Sequence, residues 1–256
     1  MRLKRLYSLA RRAIDDYQMI DEGDRIAVGI SGGKDSLTLL HALAGLQRFY
    51  PKHFELEAIA VNIGFDGFDT TPVRQLCEEL GVHFTEVKTQ IKDVVFDIRQ
   101  ESNPCSLCAK MRKGAFNERA KELGCNKSAY AHHRDDVVET ALMSLIYEGH
   151  FYCFAPVTYL DRTDITLIRP LIYVDERDII GFKNIYGLPV IKNPCPADGE
   201  TKREYAKNLV KQLEHENPGF KDRMFHAVIN QVPSFTERLR TNLCHSKTET
   251  GMSEES

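Results

Sequence analysis

The chain lacks any apolar run of the roughly 18 residues a helix needs to cross a bilayer, so no membrane partner is expected. Its basic start, Met1 to Arg12, is not followed by an uninterrupted apolar stretch, so no secretory leader is read and a cytoplasmic location is expected. It has no internal repeat. It also lacks a strong charge of either sign: 34 Lys and Arg stand against 37 Asp and Glu, a net −3. That total neither favours nor excludes nucleic acid, because local patches decide. Two patches exist, Arg2, Lys4, Arg5, Arg11 and Arg12 at the start and Lys110, Arg112, Lys113, Arg119 and Lys121 later; the plain alternative is two solvated helix faces. Cysteine, by contrast, is abundant. Seven in a chain expected in the cytosol, where stable disulfides are rare, point first to metal binding or thiol chemistry.

At 256 residues, 42% hydrophobic and 28% charged, the chain has room for one soluble α/β domain with helical additions. Leu3, Leu6, Leu9, Ala10, Ala13 and Ile14 predict an amphipathic helix over 3–20. Short apolar runs bounded by turn residues predict buried strands at 25–30, 55–62, 82–87, 127–132, 165–169 and 188–191. Helical patterns fall between them at 35–49, 71–80, 115–123, 137–147 and 175–186. Strands alternating with helices imply an α/β fold with a doubly wound, mostly parallel sheet. The expected organisation is an N-terminal helix in 1–22, the α/β domain in 23–199, a helical segment in 200–245 and a disordered tail in 246–256.

The first expected strand runs into Ser31-Gly32-Gly33-Lys34-Asp35-Ser36, which opens a helix. Glycines let the backbone approach phosphate oxygens, and a helix N-terminus favours negative charge. Lys34 adds a point charge, and the hydroxyls of Ser31 and Ser36 are donors. The pattern is not a Walker A loop, which needs glycine where Val28 stands and Ser or Thr where Asp35 stands. In a parallel sheet the ligand sits outside the carboxyl ends of the strands, so Val61-Asn62 and Ala131-His132 are expected to face a nucleoside. His133-Arg134-Asp135-Asp136 follows; an acidic pair there also serves as a helix cap, a role that suits Asp135.

Cys105 and Cys108 form a CxxC after Pro104 and before a basic helix, which alone fits a redox pair or half of a zinc site. There is no second CxxC. Instead Cys195 stands between Pro194 and Pro196, a stiff setting without the two backbone donors that proline removes. Three thiolates leave one position of a metal open, the mark of chemistry rather than scaffolding. Thiolates select iron–sulfur clusters, zinc or cuprous copper. Cys77, Cys125, Cys153 and Cys244 read as buried or incidental, with Cys125 the alternative fourth ligand.

The loop SGGKDS resembles that of the PP-loop ATP pyrophosphatases, which cleave ATP between the α and β phosphates. SGGKDS, PCSLC with Ala109-Lys110-Met111-Arg112-Lys113-Gly114, HHRDDVVET, Ile168-Arg169-Pro170-Leu171 and the late Cys195 occur in the order of one group within it. That group is the tRNA 2-thiocytidine synthetases, among the iron–sulfur-dependent tRNA thiolases, and the resemblance runs from about Leu3 to Leu239. It implies an adenine nucleotide alpha hydrolase-like fold, ATP with Mg2+, a 4Fe-4S cluster on Cys105, Cys108 and Cys195, and a homodimer. It further implies tRNA as substrate, with cytidine 32 the expected base, and a sulfur donor supplying desulfurase-derived sulfide or persulfide. Asp35 would help hold magnesium, and the second acidic position carries an active-site role to Asp136. ATP would adenylate the C2 oxygen, and sulfur would then displace AMP. Arg112 or Lys113 would stabilise charge at the reacting centre, and Arg169 would contact the α-phosphate.

The chain departs from the family pattern at Ala131, where glycine is usual, at NPCPADG around Cys195, and in lacking a long C-terminal extension. The same chemistry on another tRNA base or a small molecule is the competing enzyme reading. A redox or metal-binding regulator that uses ATP only as a ligand is the non-enzymatic one.

Overall fold

The computed structural model describes residues 1–65, 67–98, 104–191, 195, 202–233 and 235–236. The six strands are β1 (Asp24–Ile30), β2 (Phe54–Asn62), β3 (His83–Lys88), β4 (Lys127–Ala129), β5 (Val157–Leu160) and β6 (Ile165–Ile168). They form one sheet in the order β3-β2-β1-β4-β6-β5, parallel except for the β5–β6 pair. The helices are α1 (Leu3–Asp16), α2 (Lys34–Leu46), α3 (Thr71–Leu80), α4 (Pro104–Glu122), α5 (Arg134–Glu148), α6 (Glu176–Tyr186), α7 (Lys202–Glu216) and α8 (Phe220–Gln231), with a π-helical turn at Asp93–Ile98.

The central strands are apolar on both faces because both are covered. Ile26, Val28 and Ile30 of β1 and Leu56, Ala58 and Ala60 of β2 join one core with α1, α2, α3, α5 and α6. Ala27, Ile59 and Val61 point the other way, into a smaller core with Phe116 and Ala120 of α4. This period of two is the pleat. Burying a side chain such as Ile26 or Leu40 fully contributes roughly 1.5–3 kcal/mol. α7 and α8 lie against α5, burying Ala206 and Val210 from the first and Phe225 and Val228 from the second.

Two features place the site. From β1 the chain winds outward through β2 to β3, then returns to the other side of β1 as β4, so the switch point lies between β1 and β4. Both strands run parallel, and the loops that leave their carboxyl ends diverge there.

The structure corrects several boundaries. Residues 188–191 are not a strand: the segment turns on itself, with the Val190 amide donating to Leu188 O at 2.8 Å and the Ile191 amide to Gly32 O at 2.9 Å. The fourth strand ends at Ala129 rather than at 132, because Tyr130 to His133 turns into the crevice. The helix expected at 115–123 is far longer and begins at Pro104, so the CxxC lies in its first turn. Strand β5 was not expected; it is four residues long and has Tyr159 exposed. The tail at 246–256 lies outside the described residues.

Candidate active site

The phosphate loop is held open by its own side chains. Gly32 adopts φ +79°, the left-handed region where a side chain is strained, and a Cβ there would lie 3.0 Å from Ile191 Cβ. The Ser31 amide donates to Ser36 Oγ at 3.2 Å, Ser36 Oγ donates to Gly33 O at 3.0 Å, and the Gly33 amide donates to Ser31 Oγ at 3.2 Å. Gly33 is the N-cap of α2 and offers no side-chain cap. The first amides of a helix have no intrahelical partner, so this end of α2 is presented as an anion site.

Lys34 and Asp35 point into a charged network. Lys34 Nζ lies 3.1 Å from Asp35 Oδ2 and 3.1 Å from Glu176 Oε1. Glu176 also pairs with Lys207 of α7 at 2.8 Å. Burial opposes the charge on Glu176, yet Lys207 and Lys34 hold its carboxyl down at about 2. Asp35 Oδ1 is buried without a hydrogen-bond partner; among the described residues its near neighbour is His133 Nε2, at 3.7 Å.

The acidic pair divides its work differently from the expectation. α5 starts at Arg134, so Asp136 stands at its third position and its Oδ2 accepts from the His133 amide at 2.9 Å. Asp136 Oδ1 meets Arg203 of α7 at 3.0 Å. Asp135 is buried away from the cleft, accepting from the Glu176 amide at 2.7 Å and from Lys221. The cap expected of Asp135 is therefore made by Asp136, because the helix begins three residues earlier than its apolar pattern.

A cleft of about 530 Å³ joins these parts, bounded by Ser31, Asp35, Ser36, Val61, Ala131, His132 and Asp136 on the sheet side and by Ala109, Arg112, Lys113 and Phe116 of α4. Its size suits a ligand site. A second, about 470 Å³, shares Ser31, Asp35, Val61 and Arg112 with it and extends past Gly33 and Lys34 to Phe65, Phe68 and Ile191. Nearly all the expected nucleotide residues thus line one continuous crevice; Arg169 does not. It is buried behind His132, with its Nε–H donating to His132 Nδ1 at 3.0 Å. Burial and then Arg169 push the His132 imidazole down to about 4, and burial pushes Arg169 itself down to about 10.

On the α4 side, Cys105 is exposed, while Cys108 and Cys195 are half-buried. Burial raises the Cys108 thiol, Arg112 opposes that, and Cys195 and Cys105 raise it further, so Cys105 and Cys195 both lie within electrostatic reach of Cys108. Among the described residues no three His, Cys, Asp or Glu side chains form a ready-made metal-ligand group. Cys77, Cys125 and Cys153 are buried, and burial raises all three thiols; Cys125 packs in the smaller core with Phe116 and Ala120. Cys244 lies outside the described residues. Of the two basic patches, the first has three of its five members in ion pairs, Arg5–Asp178 at 3.1 Å, Arg11–Asp15 at 3.3 Å and Arg12–Asp16 at 3.6 Å. In the second, Arg112 and Lys113 face the cleft.

Glu176, Arg203 and Lys207 were not expected at the site. No local pattern marks them, since their partners lie 31 or more residues away.

A parallel sheet whose switch point carries a phosphate loop and an acidic helix start defines a nucleotide-handling α/β enzyme. Residues 6–213 match the family model of the PP-loop domain. The chain is 39% identical over 238 residues to a tRNA-cytidine(32) 2-sulfurtransferase of Geobacter sulfurreducens, covering 92% of this chain and 93% of that one. It is 40% identical to the enzyme of the same name from Geotalea daltonii, covering 90% and 92%. Among solved structures, the U34-tRNA thiolase of Methanococcus maripaludis, with its 4Fe-4S cluster, superimposes with a TM-score of 0.70 at 25% identity, covering 88% of this chain and 78% of that one. The chain belongs to the PP-loop family, in the ATP-dependent sulfurtransferase group that these relatives represent. No helix among the described residues is long and apolar enough to cross a membrane.

Proposed function

We propose that the protein replaces the C2 oxygen of a tRNA cytidine, position 32, with sulfur, using ATP to make that oxygen a leaving group. The observation that carries this reading is the cleft itself, which has the phosphate loop on one wall and the CxxC helix on the other, with Arg112 and Lys113 of that helix lining it.

ATP lies with its phosphates on the amides of Ser31 to Ser36 and on Lys34, and its nucleoside against Val61, Ala131 and His132. The pyrimidine C2 oxygen attacks the α-phosphorus, and pyrophosphate leaves. A sulfur nucleophile then adds at C2, the C2–O bond breaks, and AMP departs with the oxygen. Arg112 and Lys113 face this point and stabilise the anionic charge that builds there.

Asp35 and Asp136 fit a hard cation, because Asp35 Oδ1 is a buried oxygen acceptor with no hydrogen-bond partner. Magnesium bound there would neutralise phosphate charge. Cys105, Cys108 and Cys195 fit a soft centre by their donor chemistry and by the reach of the outer two to Cys108. A 4Fe-4S cluster held by the three would supply the sulfur for the exchange. The protein acts as a homodimer and takes its sulfur from a donor of desulfurase-derived sulfide or persulfide.

The test is anaerobic reconstitution with iron, sulfide, ATP and magnesium on unmodified tRNA, read by mass spectrometry of the nucleosides. 2-Thiocytidine at position 32 is expected, with one AMP and one pyrophosphate per sulfur. ATP turnover without any thionucleoside would contradict the reading. Binding to tRNA should also weaken steeply with salt; a salt-independent affinity would favour a small-molecule substrate.

A further inference from the structure

Arg169 is buried beneath the sheet-side wall of the cleft and held by neutral acceptors. Its Nη1 donates to Thr158 Oγ1 at 3.1 Å and to Ala155 O. Its Nε–H donates to His132 Nδ1 at 3.0 Å. Arginine has donors only, so this contact fixes the tautomer: the lone pair is on Nδ1 and the proton is on Nε2. The ring is fixed in place as well. Phe154 stacks on the imidazole at 4.7 Å and 29° and carries the guanidinium 4.9 Å above its own face, while Tyr130 meets the imidazole edge-on at 6.1 Å. His132 itself borders the cleft.

We propose that Arg169 is a positioning residue that locks His132 as the Nε2–H tautomer, and that His132 thereby donates a hydrogen bond to the carbonyl oxygen of the base about to be activated. This deepens the function proposed above and rests on it. A carbonyl oxygen has two lone pairs. One held by Nε2–H orients the base and leaves the other free to attack the α-phosphorus. A base that presents an N–H at this point would meet donor against donor, so the site selects bases with oxygen at the reacting carbon. The titratable and charged groups facing His132 are Arg169, Asp136, Arg203 and His133, and burial with Arg169 outweighs Asp136 in keeping the ring neutral.

The test compares His132→Gln with His132→Glu. Both offer Arg169 an oxygen acceptor, but only Gln keeps an N–H donor. Thiolation by H132Q should stay within about tenfold of the parent, whereas H132E should lose roughly 100-fold in kcat/KM. Equal activity in the two variants overturns the donor role. Nitrogen-15 NMR of histidine-labelled parent protein reads the lock without tRNA. A neutral His132 with Nε2 protonated from about pH 5.5 to 8 is expected, and in Arg169→Met the ring should titrate at a higher pH than in the parent while burial still holds it below the ordinary value of about 6.5. An Nδ1–H tautomer in the parent, or unchanged titration in a folded R169M, overturns Arg169 as the positioning residue. If the parent makes no thionucleoside while the tautomer is as expected, the function proposed above fails and takes the base contact with it, and the lock alone stands.

Discussion

The two walls of the cleft are built in opposite ways. The phosphate wall is finished before any ligand arrives: Gly32 already holds its left-handed conformation, Ser31 and Ser36 tie the loop, and Ile191 packs against it. The other wall, α4, carries an unfinished site at its start, since Cys105 is exposed in its first turn and no three-ligand group stands ready among the described residues. Charge accounts for the difference. An anion site made of neutral amide dipoles costs little to preform. Three thiolates brought together with no cation repel, which is the direction in which Cys105 and Cys195 move Cys108. Such a set gathers around what it binds, and binding then contributes to folding free energy.

That contrast is sharpest where a change disables one wall and spares the other. Asp136→Asn should lower ATP cleavage by roughly 100- to 1,000-fold, while the iron bound after anaerobic reconstitution stays at the parent level. A matching loss of iron would show that the walls are not independent.

Gly32→Ala tests how far the phosphate wall is preformed. A methyl group at φ +79°, pressed on Ile191, should cost about 1–3 kcal/mol of stability and weaken ATP binding with it. Calorimetric melting and ATP titration read both effects. An unchanged melting temperature with normal affinity would mean that the position accepts a side chain.

Glu176 joins α6 to the loop through Lys34 and to α7 through Lys207, and its carboxyl is held down at about 2. A depressed folded value contributes stability above the ordinary carboxylate range that is lost as pH falls toward about 2. Glu176→Gln should therefore destabilise at pH 6, and its deficit against the parent should shrink as pH drops from about 4.5. Urea midpoints at stepped pH measure this, and a deficit that does not change with pH would contradict the pairing.

The smallest effect belongs to Glu139, whose carboxyl is raised to about 7 by burial and then by Asp136. A raised folded value gives stability that is full below the ordinary glutamate range and is lost as pH rises through about 7. In nucleotide-free protein, Glu139→Gln should thus be neutral at pH 5 and stabilising at pH 8.5. Equal midpoints at both pH values would refute the shift.

Most of the sheet was legible because its strands are buried on both faces and read as unbroken apolar runs, as in Ile26 to Ile30 and Ala58 to Val61. The same signal misled at 188–191, where an apolar segment folds against the loop at Gly32 instead of joining the sheet. It was silent at β5, a short edge strand with Tyr159 exposed. In the site, residues drawn by a local pattern were found, as in the loop from Ser31 to Ser36. Those placed by tertiary packing were not: Arg203 and Lys207 reach Asp136 and Glu176 because α7 packs on α5. Arg169 was expected at the phosphate, but its sequence position says nothing of the imidazole that stands in front of it.

The unfinished wall offers the most direct test. In Cys195→Ala, reconstituted anaerobically beside the parent, tRNA nucleosides are analysed by mass spectrometry while the melting temperature and ATP affinity are measured on the same preparation. No thionucleoside, with fold and ATP binding retained, is the predicted result; thiolation at the parent level would contradict the three-cysteine site.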